Sequence, residues 1–185
     1  MDSLEEKQIS TEEVYKGNFL KIYKDKVELP DGKITTREYI KHPGAAAIIP
    51  LTKDGQVVIE RQWRYPAGKA FLEIPAGKLD PNEDPLVCAK RELLEETGYE
   101  AANWVFLGKI NNAIGYSNES IWIYLAKDLV KKEQHLDPGE FVELSLLPWK
   151  ELVKKSLNGE ITDVKTIIGS LWLEKYLGGA DFSKK

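Results

Sequence analysis

Three glutamates at one end of a single helical segment, Glu92, Glu95 and Glu96, are the residues of this chain whose type and spacing point most directly to chemistry. Glu92 stands three and four positions before the other two. Such like-charge pairs each cost a helix roughly 0.2–0.5 kcal/mol. They also occupy the carboxyl end, where the helix dipole disfavours an anion by a further ~0.3–1 kcal/mol near the last turn. A solvated charged face is the ordinary reading of acidic residues on a helix, but this placement is locally unfavourable, and a divalent cation would offset both penalties. Carboxylates, a loop carbonyl and water are the hard oxygen ligands that Mg²⁺ prefers. Arg91, one turn before Glu95, can hold a neighbouring carboxylate in place.

The helix that carries them has legible ends. Asp84 suits the N-cap, Pro85 the first helical position and Gly98 the left-handed stop after Thr97, which predicts a helix over 85–97. Leu86, Val87, Leu93 and Leu94 are expected along its core side, with the three carboxylates facing away. Before it, Pro75-Ala76-Gly77 leaves a strand in a compact loop whose backbone can approach the same ion.

The spacing from that loop through the helix is specific. Gly77, five residues, Glu83, seven residues and then Arg91-Glu92-Leu93-Leu94-Glu95-Glu96-Thr97-Gly98 resembles the signature box of the Nudix hydrolases. Seven fixed residue types agree, and at usages of about 5–7% each, chance agreement is on the order of one in 10⁸ per window. The last position of the box, usually aliphatic, is Tyr99 here. The resemblance implies an α/β/α sandwich around a mixed sheet, with an N-terminal antiparallel hairpin, and hydrolysis of a nucleoside diphosphate linked to another group. It implies the Ala76 carbonyl, Glu92, Glu95 and Glu96 as ligands of Mg²⁺ or Mn²⁺, Arg91 as the residue that orients them, and Glu83 as a helix-end support or outer-shell ligand. A magnesium cluster and a carboxylate base are what phosphoanhydride cleavage requires.

Flanking segments resemble the branch of that family that cleaves ADP-ribose and other nucleoside diphosphate sugars. They are Arg37-Glu38 with His42-Pro43-Gly44-Ala45, Arg61-Gln62-Trp63-Arg64-Tyr65-Pro66, Leu72-Glu73-Ile74-Pro75-Ala76-Gly77, and Gly115-Tyr116-Ser117-Asn118-Glu119. By this resemblance Arg37 and Arg64 contact the diphosphate or nucleoside, and Glu119 lies near the terminal sugar or its phosphate. Ile114 stands where ADP-ribose pyrophosphatases usually carry proline, which favours a broader range of ADP-ribose and GDP- or ADP-linked hexose substrates. The base in this branch usually comes from a loop. Leu136-Asp137-Pro138-Gly139-Glu140 suits one, making Glu140 the candidate ahead of Glu133 and of Glu143, which a strand would turn outward. The resemblance also implies a homodimer in which hairpin residues 18–42 bring Arg37 to the partner's site. Two other readings are hydrolysis of nucleoside triphosphates or dinucleoside polyphosphates, and a noncatalytic nucleotide-sugar sensor. The intact acidic positions disfavour the sensor.

Bulk properties frame these elements. A chain of 185 residues with 42% hydrophobic content supports one good core. The expected division is an N-terminal extension and hairpin, 1–42, belonging with a hydrolase domain, 43–185. Net charge of −4 argues against a nonspecific grip on nucleic acid. No apolar run is long enough for a membrane span, and a lone Cys88, read as a packing residue, fits a reducing cytoplasm. Walker, zinc-pair and serine-elbow motifs are missing, and His42 and His135 read as structural or solvated. Trp63, beside Arg64, is the tryptophan best placed for a site wall.

Strands are expected at Phe19–Leu29 and Ile34–Tyr39 around Pro30-Asp31-Gly32, and at Ala45–Leu51 and Val57–Trp63 as a second hairpin around Lys53-Asp54-Gly55. Further strands are expected at 71–74, 104–110, 121–126 and 141–146. Residues 1–17 are polar and expected to fray at their end. Two more helices are expected, Trp149–Leu157 and one from Thr162 or Asp163 to Gly178 whose core stripe is Val164, Ile167, Ile168, Leu171, Trp172 and Tyr176.

Overall fold

The computed structural model describes residues 2–183. Contacts divide the chain into two compact units, one of the chain up to Gly44 with Asn111–Ser120, the other of Ala45–Ile110 with the chain from Ile121 onward.

The first unit is a three-stranded antiparallel sheet in the order β1 (Lys7–Lys16), β2 (Lys21–Glu28), β3 (Ile34–Ile40). The hairpin β2–β3 forms as the Pro-Asp-Gly turn predicts, with Gly32 at φ 81°. The polar segment 1–17, for which no strand was expected, contains one: Lys7–Lys16 pairs with β2. All ten of its residues are exposed, so apolar burial does not hold it. Its ladder does, helped by opposite charges set across from each other, Lys7 with Glu28 and Glu12 with Lys24.

The second unit contains two sheets. One has the order β7 (Ala76–Lys78), β4 (Ala45–Pro50), β9 (Ser120–Lys131), β8 (Tyr99–Asn111), with β4 antiparallel to β7 and parallel to β9. The other has the order β10 (Val142–Pro148), β5 (Gln56–Arg64), β6 (Lys69–Glu73), antiparallel throughout. The expected second hairpin is therefore a turn without a hairpin. Gly55 takes the positive φ of 82°, but the segments around it share only the Leu51–Val57 bridge. Both edges of β4 are already taken by β7 and β9, and a strand has two edges to give.

Strand β4 is buried on both faces, as a central strand in a mixed sheet must be. Ala46 and Ile48 pack with Cys88, Ala89 and Leu93 of helix α1 (Pro85–Thr97). Ala47 and Ile49 face Val57 and Ile59 of β5, Leu152 of α2 (Trp149–Leu157) and Leu173 of α3 (Val164–Leu177). Helices thus cover the mixed sheet from both sides. In α3 the most buried residues are Lys165, Thr166, Gly169, Ser170 and Leu173; of the expected stripe, Ile167, Ile168, Trp172 and Tyr176 pack partly buried against the core, while Val164 is 41% exposed. Small residues are needed there because a Cβ at Gly169 would lie 3.2 Å from the Cδ1 atoms of Ile49 and Ile74. Among the described residues no helix is long and apolar enough to cross a membrane.

Candidate active site

Helix α1 begins and ends at the expected residues. The Asp84 carboxylate accepts from the backbone N–H groups of Leu86 and Val87 at 2.9 and 3.3 Å, and Gly98 closes the helix at φ 64° with its N–H on the Leu94 carbonyl. Which side is buried differs from the sequence reading. Val87 is 55% exposed, the core face is Cys88, Ala89 and Leu93, and Glu96 on that side is only 3% exposed. One of the three carboxylates therefore points inward. It can do so because β7 offers it a partner: the Ala76 N–H donates to Glu96 Oε2 at 2.9 Å. Burial pushes the Glu96 carboxyl well above the usual carboxylate range, and the charges of Glu60, Glu92 and Glu140 push it further.

Glu92 lies against the backbone of the loop before the helix. A Cβ at Gly77 would sit 1.8 Å from the Glu92 carboxyl carbon, so this approach requires glycine. The Cys88 thiol faces the Gly77 and Lys78 carbonyls at 3.6 and 3.4 Å. Burial raises that thiol to about 12, which makes it a packing group and no nucleophile.

Arg91 ties the acidic residues together. Its guanidinium donates to Glu83 through Nε and Nη2 at 3.0 and 2.9 Å, to Glu92 at 2.7 Å, to Glu95 at 3.1 Å and to the Lys78 carbonyl at 3.1 Å. Glu83 in turn accepts from the Asp80 N–H at 2.9 Å, and Arg91 holds its carboxyl down at about 2. For Glu92, burial outweighs the attraction of Arg91 and the carboxyl is raised.

The C-terminus of α1 anchors the loop that carries the candidate base. His135 N–H donates to the Glu95 carbonyl at 3.0 Å, Lys132 N–H to the Gly98 carbonyl at 2.7 Å, and the Gln134 side-chain amide to the Glu96 carbonyl. Glu140 accepts from Gln62 at 3.3 Å, and its charge acts on Glu92, Glu96 and Glu60. Glu133 is exposed, 4.0 Å from His135, and Glu143 is exposed and paired with Arg61 at 2.9 Å.

The remaining residues singled out in the sequence have partners of their own. Arg64 meets Glu73 in a two-pronged pair, both contacts at 2.7 Å. Trp63, its neighbour on β5, is 61% exposed. Arg37 and Glu119 belong to the other unit. Arg37 pairs with Glu6 at 2.6 and 2.9 Å, and Glu119 accepts from Asn112 at 3.1 Å with His42 Nε2 at 3.5 Å. Because Gly44 N–H donates to His42 Nδ1 at 3.0 Å, the neutral imidazole carries its proton on Nε2, toward Glu119.

Three buried charged residues of the second unit were given no role in the sequence reading: Glu60, Glu73 and Lys165, at 2%, 3% and 8% exposure. Lys165 pairs with Glu73 and, at 3.1 Å, with Asp163. Burial works to raise Glu73, but Arg64 and Lys165 prevail and hold it low. Burial raises Glu60 to about 7. The available signal for Glu60 was its place at the end of the apolar run Val57-Val58-Ile59, all four residues being buried in β5.

The donor set suits a divalent cation. It comprises carboxylates and backbone carbonyls, hard oxygens throughout, with Gly77 clearing the space that Glu92 occupies. Among the described residues no three acidic, His or Cys groups already converge on one point, Arg91 having drawn Glu92 and Glu95 to itself.

Comparison with known proteins places this geometry in a family. Residues 41–166 match the NUDIX domain, and residues 6–40 match the nucleoside diphosphate sugar hydrolase N-terminal domain. The chain is 43% identical over 172 residues to the methanol dehydrogenase activator of Bacillus methanolicus, covering 92% of this chain and 93% of that protein. It is 37% identical over 176 residues to the ADP-ribose pyrophosphatase of Bacillus subtilis, covering 94% and 95%. A crystal structure of an ADP compounds hydrolase superposes with a TM-score of 0.84 at 20% identity, covering 97% of this chain and 98% of that one, which speaks for the fold. A capped helix bearing the complete acidic box, on a matching domain that spans most of the sequence, makes this chain a member of the Nudix hydrolase family.

Proposed function

We propose that this protein hydrolyses the pyrophosphate bond of nucleoside diphosphate sugars, ADP-ribose or a GDP- or ADP-linked hexose, to a nucleoside monophosphate and a sugar phosphate. The observation that carries the reading is the pairing of buried Glu96 with the Ala76 N–H beside Glu92 on Gly77. It sits within a chain whose N-terminal segment matches that of nucleoside diphosphate sugar hydrolases.

Ala76 through its carbonyl, with Glu92, Glu95 and Glu96, would hold Mg²⁺, or Mn²⁺ in its place. The ion supplies neutralisation of the phosphate oxygens and a lowered pKa for a bound water. Arg91 keeps the carboxylates oriented. Glu140 takes a proton from the attacking water as its oxygen bonds to phosphorus and the bridging P–O bond breaks; the leaving phosphate departs as an anion. Glu140 is preferred because its charge already acts on Glu92 and Glu96, whereas Glu133 and Glu143 face solvent. Arg64 contacts the substrate's diphosphate or nucleoside, its half-exposed guanidinium pre-oriented by Glu73. Arg37 and Glu119 contact the nucleoside diphosphate and the terminal sugar.

The same reading makes the protein a cytoplasmic homodimer that binds neither nucleic acid nor membrane, with residues 1–42 as its dimerisation segment and 43–185 as the hydrolase domain. Ile9, Val14, Tyr15, Phe19, Leu20 and Ile34 of the N-terminal segment are exposed apolar residues that a partner would cover. That partner would receive Arg37 in trans.

A substrate panel with Mg²⁺ in ¹⁸O-labelled water tests the function. ADP-ribose or a nucleotide hexose should yield nucleoside monophosphate and sugar phosphate, with label in one product identifying the attacked phosphorus. Turnover of nucleoside triphosphates or dinucleoside polyphosphates without turnover of any nucleotide sugar would replace this reading.

A further inference from the structure

Glu60 lies outside the Nudix box, on β5, and it is 2% exposed. Across the ladder it stands opposite Glu73, another buried carboxylate. The cations nearby are already engaged. Arg64 and Lys165 both bond Glu73, and Arg91 bonds Glu83, Glu92 and Glu95. Glu60 instead contacts the Glu96 carboxyl, and its Oε1 is buried with no hydrogen-bond partner. Leaving one carboxylate oxygen buried and unbonded carries a desolvation penalty that native interiors seldom tolerate without a functional reason. Glu140 and Glu92 add negative charge to the same spot.

We infer that Glu60 is a further acidic residue of the divalent-cation site, its free oxygen turned to the ion or to an ion-bound water and sharing that charge with Glu96. This rests on the hydrolase reading above, and it adds to the box a ligand group from a strand of the second sheet. A hard, doubly charged ion is a partner that satisfies a buried, unpaired carboxylate oxygen.

Mn²⁺ binding to the full-length protein without substrate, followed by the paramagnetic resonance of the free ion, tests the inference apart from activity. Glu60→Gln keeps the side-chain volume and removes the charge. It should weaken Mn²⁺ binding at least ~10-fold and shrink the Mn²⁺-induced rise in Tm, while metal-free Tm is unchanged or higher. Mn²⁺ affinity within about twofold of wild type, with Glu96→Gln weakened as expected of a ligand, would overturn the role of Glu60 and leave the hydrolase reading standing. Wild-type Mn²⁺ affinity in Glu96→Gln as well would remove the cation site and that reading with it. Should the amide variant not fold, Glu60→Met, apolar and of matching length, is read by the same measure.

Discussion

Gly77 and Glu92 occupy one space: a Cβ on residue 77 would come within 1.8 Å of the Glu92 carboxyl carbon and oxygen. The atoms in the way are the end of a flexible side chain, and Gly77 is not among the residues with positive φ. Gly77→Ala should therefore shift stability by less than about 1 kcal/mol, because Glu92 can swing aside. Turnover should fall at least ~100-fold, since the displaced carboxylate is misplaced by an ångström or more. Urea unfolding beside steady-state rates checks both halves; normal turnover contradicts the close approach, and ready unfolding contradicts the freedom of Glu92 to swing aside.

Glu96→Gln should separate function from folding. The amide oxygen can still accept from the Ala76 N–H, and its NH₂ can donate to Glu60, relieving the contact between two carboxyls. Metal-free stability should be equal or up to ~1 kcal/mol higher, while turnover falls at least ~10²-fold through the lost anionic ligand. A marked loss of metal-free stability in calorimetry would mean that Glu96 serves the core.

Arg91→Ala removes one guanidinium from three carboxylates and a carbonyl. A cost of ~1–3 kcal/mol is expected, with Arg91→Lys intermediate because an ammonium cannot reproduce the forked geometry. Chemical denaturation of the two variants gives the order directly.

The Glu83–Arg91 pair should also mark the acid limb of stability. A carboxyl held at about 2 when folded, against an ordinary value near ~4.3 when unfolded, stabilises the protein fully above the unfolded value. That contribution drains away as pH falls through the folded one. The stability gap between wild type and Glu83→Gln should be constant from pH 7 down to about 5 and narrow below about 4.3. A gap that persists unchanged at pH 3 would assign the effect to packing.

Glu140→Gln should lower kcat by ~10²–10⁴-fold with KM altered only a few-fold, the pattern of a group acting in the transition state. Full activity would return the base to Glu133 or another loop residue.

Helix α1 was legible from Asp84 to Gly98 because caps act within a few residues, and the acidic box was legible because its members share one helix. The strand hairpin β2–β3, the helix over 149–157 and the extent of α3 follow from local turn and cap chemistry in the same way. What pairs with what did not. β4 and β5 read as partners around Gly55, yet they enter different sheets, because β7 and β9, from distant parts of the sequence, take both edges of β4. Glu96 read as solvent-facing, yet it is buried, because the Ala76 N–H and Glu60 arrive from separate strands to receive it. Short-range rules determine where an element starts, stops and turns a polar face. Whether a charged side chain on that face meets water or the interior depends on which remote strand packs against it, and long-range pairing alone decides that.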